Sequence, residues 1–539
     1  MELVGNNNPA DRPIGRALAV QAEAIGDKVF VRTQDEAHTF AEVNARACRL
    51  ANSMRDLGIK RGDPVAILME DGYDFVSTVL AVNKAGGIWV PINTNYRGDW
   101  LSRTLQDAAA AMIVADDAYL AKEVIEQAEH SGARLVVRKT ASGAAAAEGR
   151  PGATTPFDAL EDNVDHEIAE PLAESDISAV MWTSGTTGRS KGVMQAYGCW
   201  YGALRLYTEA RDVRPDDVFY NCLPMFNSGA WVFNILEALY TGTTVAIDPV
   251  FSVSRFWERV QHYGATQIAT LGAMHMYLWQ QPPQPAEIDN PARVATAIPV
   301  PPEIHDAFKE RFGLEHIVRL WGQSELMPLS INSPERQGAL DADGFVRDDF
   351  DVMLLDEHDN EVAAGEVGEI CVRPRRPFTM FQGYYRNPQA TVDAWRNLWY
   401  HSGDLGTISE SGELRFVDRK ADYIRYKGRN ISSIELEGVV MEHPDVVEAA
   451  AHGVPSSELL REDEIKVCVV RKLGAEVSEA DLATHVNERA PYFLVPRYIE
   501  FVDELPHTPT GRVRKVELRE RGVTSTTWDR VAAGFTVQR

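Results

Sequence analysis

The densest chemistry in the chain sits in Thr183-Ser184-Gly185-Thr186-Thr187-Gly188-Arg189-Ser190-Lys191-Gly192. Hydroxyls and one ammonium converge there as donors, and the glycines let the backbone turn sharply and approach a ligand closely. A loop of amides, hydroxyls and a single lysine suits the oxygens of a polyphosphate. It is not the common P-loop, because Lys191 lies six residues after Gly185 and is followed by Gly192 rather than Ser or Thr. The apolar run Ile177 to Trp182 just ahead reads as a buried strand. Abutting a strand argues for a fixed ligand loop over a mobile surface loop of the same composition.

Carboxylates and aromatics recur further on. Ile317-Val318-Arg319-Leu320 reads as a strand leading into Trp321-Gly322-Gln323-Ser324-Glu325. A carboxylate placed there could hold Mg2+ on a triphosphate, since magnesium takes one or two carboxylates plus phosphate oxygens. By itself such a loop acid is ordinarily just solvated. Asp404 closes the turn Trp399-Tyr400-His401-Ser402-Gly403-Asp404, and Asp418-Arg419-Lys420-Ala421-Asp422 is a charge run of the kind that usually forms a solvated face. Pro224-Met225-Phe226-Asn227-Ser228-Gly229 follows a strand-like run, at a strand's carboxyl end where open α/β sheets bind ligands. Met274, His275, Met276 and Trp279 suit an apolar pocket and plain core packing equally well. A lone His275 does not make a catalytic base.

The positioning elements follow from size and pattern. At 539 residues the chain is too long for one core, so two to four structural units are expected. A formal net charge of -25 argues against a nucleic-acid partner but not against ATP or coenzyme A, which a few local cations can serve. Five cysteines without paired-ligand spacing read as free thiols of a reducing compartment, not as a disulfide frame or zinc site. No signal peptide and no stretch of 18 apolar residues is visible, so the reading is soluble, cytoplasmic and without a membrane span.

Thr39 with Glu42 three residues on predicts a capped helix whose apolar positions run from Val43 to Leu57 and stop at Gly58. Strands are expected at 64–69, 88–91, 218–223 and 243–247, with helices at 75–85 and 231–240. This β-α-β-α rhythm predicts a mostly parallel sheet flanked by helices. The Ala/Gly-rich stretch 140–155 reads as a surface excursion. From about 350 short strands at 351–356, 369–372 and 414–416 suggest a small barrel-like β unit. Helices at 434–442 and 479–489 among strands at 446–452, 465–471 and 498–502 suggest a small α+β domain of about 120 residues.

Taken in order, Thr183–Gly192, Trp-Gly-Gln-Ser-Glu at 321–325, Tyr-His-Ser-Gly-Asp at 400–404, Asp-Arg at 418–419 and Pro-His-Thr-Pro-Thr-Gly at 506–511 resemble the adenylate-forming superfamily of acyl-CoA synthetases, luciferases and adenylation domains. The resemblance covers nearly the whole chain. It implies a large N-terminal adenylation domain, 1–418, and a small mobile C-terminal domain, 419–539. It also implies two steps: a carboxylate attacks the α-phosphate of ATP to give an acyl-adenylate, then a thiol, usually of coenzyme A, displaces AMP. By this resemblance Thr183, Ser184, Gly185, Thr186, Thr187, Gly188 and Lys191 hold the β- and γ-phosphates. Gly322, Gln323 and Ser324 belong to the nucleotide site, Ser324 and Glu325 serving the α-phosphate and Mg2+. Trp321 lies near adenine, and Asp404 with Arg419 grips the ribose hydroxyls. Phe226, Asn227, Trp231, Met274 and Ile298 line the acyl pocket, and Arg425, Lys427 and Gly428 face coenzyme A, a basic loop suiting its phosphates. Relatives are often dimers, so a homodimer is one possible state, which the sequence does not decide; the partner is otherwise a small carboxylic acid.

The chain departs from the family pattern at four places. Arg512 stands where the family has its catalytic lysine, and a planar guanidinium is not interchangeable with an ammonium; Arg512 or Lys515 is expected to supply the cation. Ala421 occupies the usual hinge position, Asn227 replaces a common histidine, and Ala297-Ile298-Pro299-Val300-Pro301 replaces a Gly/Ala-rich stretch beside the acyl site. The branch most resembled is the crotonobetaine/carnitine–CoA ligases. Transfer to a carrier-protein thiol, and a non-catalytic nucleotide- or acyl-binding relative, are the alternatives.

Overall fold

The computed structural model describes residues 2–140, 154–168, 171–183, 190–272, 274–420, 422–426, 429–456, 463–508 and 512–538. The excursion expected at 140–155 falls almost wholly outside them, as do Ser184, Gly185, Thr186, Thr187, Gly188, Ala421, Lys427, Gly428 and Gly511. Two compact units are formed. The first comprises residues up to Thr183 with Ser190–Asp351 and Pro374–Asp393; the second comprises Val352–Arg373 and Ala394–Arg539.

The first unit holds two seven-stranded sheets. In one, the strand Pro64–Leu68 lies between Ile88–Pro91 and Met112–Asp116, all parallel, with Val65 aligned to both Trp89 and Met112. Ile177–Thr183 extends this sheet in parallel, and Lys191–Ala196 closes its edge antiparallel. The other sheet runs in parallel through Val218–Asn221, Thr244–Ile247, Gln267–Leu271, Val294–Ile298 and His316–Val318. Strands covered by helices on both faces must be apolar on both, and Met112–Asp116 is buried at every position. The helix Phe40–Asp56 starts with the expected capping box: Thr39 Oγ1 accepts from Glu42 N–H at 3.2 Å and Glu42 Oε2 accepts from Thr39 N–H at 2.8 Å. Such a cap contributes about 1 kcal/mol.

The helical stretch expected at 231–240 spans Ser228–Thr241, with a widened π turn over Trp231–Ile235 closed by Leu236 N–H donating to Trp231 O. Single π turns concentrate at functional sites. Trp231 is fully buried, its ring 4.6 Å from Trp89 and 6.1 Å from Phe75. Truncating such a ring to alanine costs about 3–5 kcal/mol.

The second unit contains the antiparallel sheet of Phe350–Leu355, Gly368–Pro374, Trp399–Ile408 and Trp395–Arg396, with Leu414–Arg419 added on Trp399–Ile408. It also holds the hairpin Ile424–Tyr426/Arg429–Ile431 and a four-stranded sheet of Val446–Pro455, Asp463–Arg471, Tyr498–Phe501 and Trp528–Asp529. The helices Ser433–Met441 and Glu479–Arg489 pack on that sheet through a core of Leu436, Val440, Leu482 and Val486. Among the described residues no helix is long and apolar enough to cross a membrane.

Candidate functional site

In the first unit, register sets the exit of the hydroxyl-rich loop. Thr183 and Lys191 are aligned across the antiparallel pair Ile177–Thr183/Lys191–Ala196, and Thr183 Oγ1 donates to Lys191 O at 3.3 Å. The five loop positions 184–188 lie outside the described residues. Lys191 points its Nζ at the ring of Tyr384, 4.8 Å from the centroid.

Trp321, Gly322, Gln323, Ser324 and Glu325 form one arm and the tip of a tight hairpin, Leu320–Gln323 against Leu326–Ile331. Gly322 is required by this packing: a Cβ would meet Leu326 O at 2.9 Å and Pro328 Cα at 3.1 Å. Gln195, four residues after Lys191, donates from Nε2 to Ser324 O, which ties the loop's outgoing strand to the hairpin tip. Glu325 is largely buried and accepts a hydrogen bond from the Tyr384 hydroxyl at 2.9 Å. Nothing in the spacing of the sequence marks Tyr384. It enters because residues 381–385 run beside the strand Lys191–Ala196: Tyr385 N–H donates to Gly192 O at 2.7 Å and Gln382 N–H to Met194 O at 2.9 Å. Phe381 N–H meanwhile donates to Glu325 O at 2.9 Å.

The turn Pro224 to Gly229 follows Val218–Asn221 as expected. Phe226 is buried and Asn227 half-buried, while Trp231 faces the core and donates from Nε1 to Met225 O at 2.7 Å. Met274 and Ile298 are half-buried against the same core. Trp231 belongs to this core, with Met274 and Ile298 packed against it. His275 is buried, held at Pro299 O, and pushed down to about 4 by desolvation, so it is neutral at pH 7. One polar group in this neighbourhood was not anticipated: both Asp71 carboxylate oxygens accept from Met225 N–H at 3.1 Å, and burial raises Asp71 to about 7.

In the second unit, Asp404 and Arg419 are register partners on Trp399–Ile408 and Leu414–Arg419, with Arg419 Nε 3.1 Å from Asp404 Oδ1. Asp404 sits behind a left-handed Gly403 (φ 71°), a conformation that side-chain-bearing residues avoid. Glu369 fixes this turn, accepting from Gly403 N–H at 3.2 Å through Oε1 and from Lys420 Nζ at 2.7 Å through Oε2. Burial works against the Glu369 carboxylate, but Lys420 and His401 more than offset it and hold it below its ordinary range. Glu369, Cys371 and His401 place one potential metal ligand each within 4.8 Å of one another. Lys420 already bonds Glu369 and Arg396 Nη2 lies 3.1 Å from His401 Nδ1, so two of the three groups are engaged by cations beside the Asp404 turn.

The two candidate cations of the closing motif differ sharply. Arg512 has an exposed surface, yet desolvation first and Arg419 second hold its guanidinium below the ordinary value, with Asp404 pulling the other way. Its backbone is pinned by Thr508 N–H donating to Arg512 O at 2.7 Å. Lys515 is instead engaged: its Nζ lies 2.8 Å from Glu437 Oε1, donates to Ser433 Oγ, and acts on the buried Asp418. Arg425 lies on the strand Ile424–Tyr426; Lys427 and Gly428 lie outside the described residues.

The profile of the family described as AMP-binding enzyme matches residues 18–385, and that of the AMP-binding enzyme C-terminal domain matches residues 435–512. The chain is 29% identical to a crotonobetaine/carnitine–CoA ligase of Escherichia coli over 497 residues, covering 89% of this chain and 93% of the relative. ATP-bound MatB from Rhodopseudomonas palustris superposes with a TM-score of 0.82 at 25% identity, covering 94% of this chain and 98% of that one. The anthranilate CoA ligase AuaEII, in complex with anthranoyl-AMP, shares the fold with a TM-score of 0.83 at 22% identity, covering 97% and 98%.

Proposed function

The chain belongs to the AMP-binding enzyme family, and we propose that it is an ATP-dependent carboxylic acid–CoA ligase working through an acyl-adenylate. A substrate carboxylate oxygen bonds to the α-phosphorus as the bond to the β-phosphate oxygen breaks and pyrophosphate leaves. The coenzyme A sulfur then bonds to the acyl carbon, the mixed anhydride breaks, AMP leaves, and the thiol proton passes to solvent. Neither step needs a protein nucleophile; both need positioning and charge neutralisation. The five cysteines are buried, in keeping with that.

The observation that carries this reading is the convergence of Lys191 and Glu325 on Tyr384. Lys191 serves the triphosphate together with the hydroxyls of 183–188. Glu325 would hold Mg2+, and the donor set fits: a mostly buried carboxylate held by a neutral hydroxyl, of the kind magnesium takes alongside phosphate oxygens. Bound there, the ion supplies charge neutralisation on the triphosphate. Asp404 offers an acceptor and Arg419 a donor to the ribose diol, Trp321 lies by adenine, and Arg512 delivers the cation to the reacting carboxylate and α-phosphate. The region of Phe226, Asn227, Trp231, Met274 and Ile298 takes the acyl group, and Arg425, Lys427 and Gly428 take coenzyme A. Residues 419–539 act as the mobile domain, pivoting within Lys420 to Asp422. The protein works in the cytoplasm.

A panel of carboxylic acids, headed by crotonobetaine and carnitine because the relatives bear those names, tests this. The expected result is AMP formation that requires ATP, one acid of the panel and coenzyme A together. Acid-dependent pyrophosphate release with no acceleration by coenzyme A would point to a carrier-protein thiol instead. ATP binding with no turnover of any acid would point to a non-catalytic relative.

A further inference from the structure

Tyr384 touches a cation and an anion at once. Its hydroxyl donates to Glu325 Oε1 at 2.9 Å, while its ring face receives Lys191 Nζ at 4.8 Å. The ring itself is fixed: Tyr384 is buried, its N–H donates to Thr391 Oγ1 at 2.9 Å, and Phe381 packs edge-on at 5.1 Å. Among the described residues Lys191 and Glu325 form no ion pair with each other. Opposite charges that meet one aromatic side chain attract each other where water is scarce. The phenol gives each charge a contact, a π face for the ammonium and an O–H for the carboxylate.

We propose that Tyr384 is a positioning residue that keeps Lys191 and Glu325 apart and oriented, leaving the ammonium available to triphosphate oxygens and the carboxylate available to Mg2+. The inference rests on the ligase reading above. Partners one shell removed from a metal-binding carboxylate set its rotamer, and losing one commonly weakens metal affinity 10–100-fold. The two contacts are separable. Tyr384→Phe deletes the hydroxyl and keeps the ring; Tyr384→Leu deletes both.

Titration calorimetry of full-length protein with ATP, with and without Mg2+, reads each contact. Tyr384→Phe is expected to bind ATP without divalent cation as the wild type does, yet to need about tenfold more Mg2+ for tight binding. In acyl-adenylate formation its kcat at saturating Mg2+ should stay near wild type. Tyr384→Leu is expected to weaken ATP binding under both conditions, because Lys191 is released onto Glu325. Should Tyr384→Leu fail to fold, Tyr384→Trp keeps a ring face without the phenol and should behave as the Phe variant does. A Tyr384→Phe protein with an unchanged Mg2+ requirement would overturn the inference and leave the ligase reading standing. Wild-type protein that binds no ATP at any Mg2+ concentration would overturn both.

Discussion

Asp404 and Arg419 stand opposite each other on neighbouring antiparallel strands, guanidinium Nε to carboxylate Oδ1 at 3.1 Å, with Asp404 only 2% exposed. An exposed pair of this kind contributes little. Here the carboxylate is buried, and Gly403 and Glu369 hold its turn in place. The pair places an acceptor and a donor side by side on adjacent strands, and we propose that they meet a 1,2-diol.

If the diol is ribose, Asp404→Ala should weaken ATP affinity about 10–100-fold, the loss of charge-assisted hydrogen bonds of about 1.5–3 kcal/mol. It should also erase discrimination between ATP and 2′,3′-dideoxy-ATP, which the wild type should favour by a similar factor. Competition binding with the two nucleotides checks this. An Asp404→Ala protein that discriminates as well as the wild type would remove the ribose from this pair.

Arg512 and Lys515 predict opposite phenotypes. Arg512 is exposed and has no ion-pair partner among the described residues, so Arg512→Ala should leave the melting temperature unchanged. It should slow acid-dependent pyrophosphate release about 100-fold or more, the usual cost of deleting a preorganised charge at a reacting oxygen. Lys515→Ala strands the Glu437 carboxylate, which burial already raises to about 7 despite Lys515. Breaking a buried pair from one side costs about 3–5 kcal/mol. A carboxylate raised in the folded state loses stability as pH rises through its folded value. The Lys515→Ala deficit should therefore be larger near pH 8 than near pH 6, in thermal unfolding at both. A Lys515→Ala protein of normal stability but without adenylation would transfer the catalytic role from Arg512.

The thiols give a simpler outcome. All five cysteines are buried, and burial pushes Cys48 and Cys199 up to about 12. Thiolate is the reactive form, so the native protein should react with essentially no Ellman's reagent, and the denatured protein at all five positions. Rapid modification of one thiol in the native state, with loss of activity, would contradict a mechanism free of a protein nucleophile.

Much of the scaffold was legible because local chemistry dictates it. Thr39 and Glu42 announce the helix Phe40–Asp56 three residues apart, and the run Ile177–Thr183 can only be a covered strand. The motif order likewise pointed to Glu325, Asp404 and Arg419 as candidates. What stayed illegible depends on contacts across long separations. Tyr384 meets Glu325 from 59 residues away in a Gly-Tyr-Tyr segment with no periodicity to mark it. Lys515 looked interchangeable with Arg512 because its partner Glu437 belongs to a distant helix. The π turn at Trp231 leaves the apolar spacing of an ordinary helix intact, so only its hydrogen bonds reveal it. Nothing in the sequence marks Asp71, and its contact appears only once Met225 arrives from the other sheet.

Asp71 yields the last prediction. It follows the strand Pro64–Leu68 of one sheet and receives Met225 N–H from the turn after Val218–Asn221 of the other. Desolvation raises it to about 7, and the single backbone donor only partly offsets this. In the unfolded chain the same carboxyl ionises near its ordinary value, about 4. Its contribution is therefore full at pH below about 4 and is lost as pH rises through about 7, because ionising it in place becomes costly. Asparagine keeps an acceptor for Met225 N–H but cannot ionise. Asp71→Asn should accordingly raise the melting temperature relative to the wild type near pH 8, with the gain shrinking toward pH 5. If the difference between the two proteins is the same at both pH values, the carboxyl is not titrating in this range and a compensating cation must lie beside it.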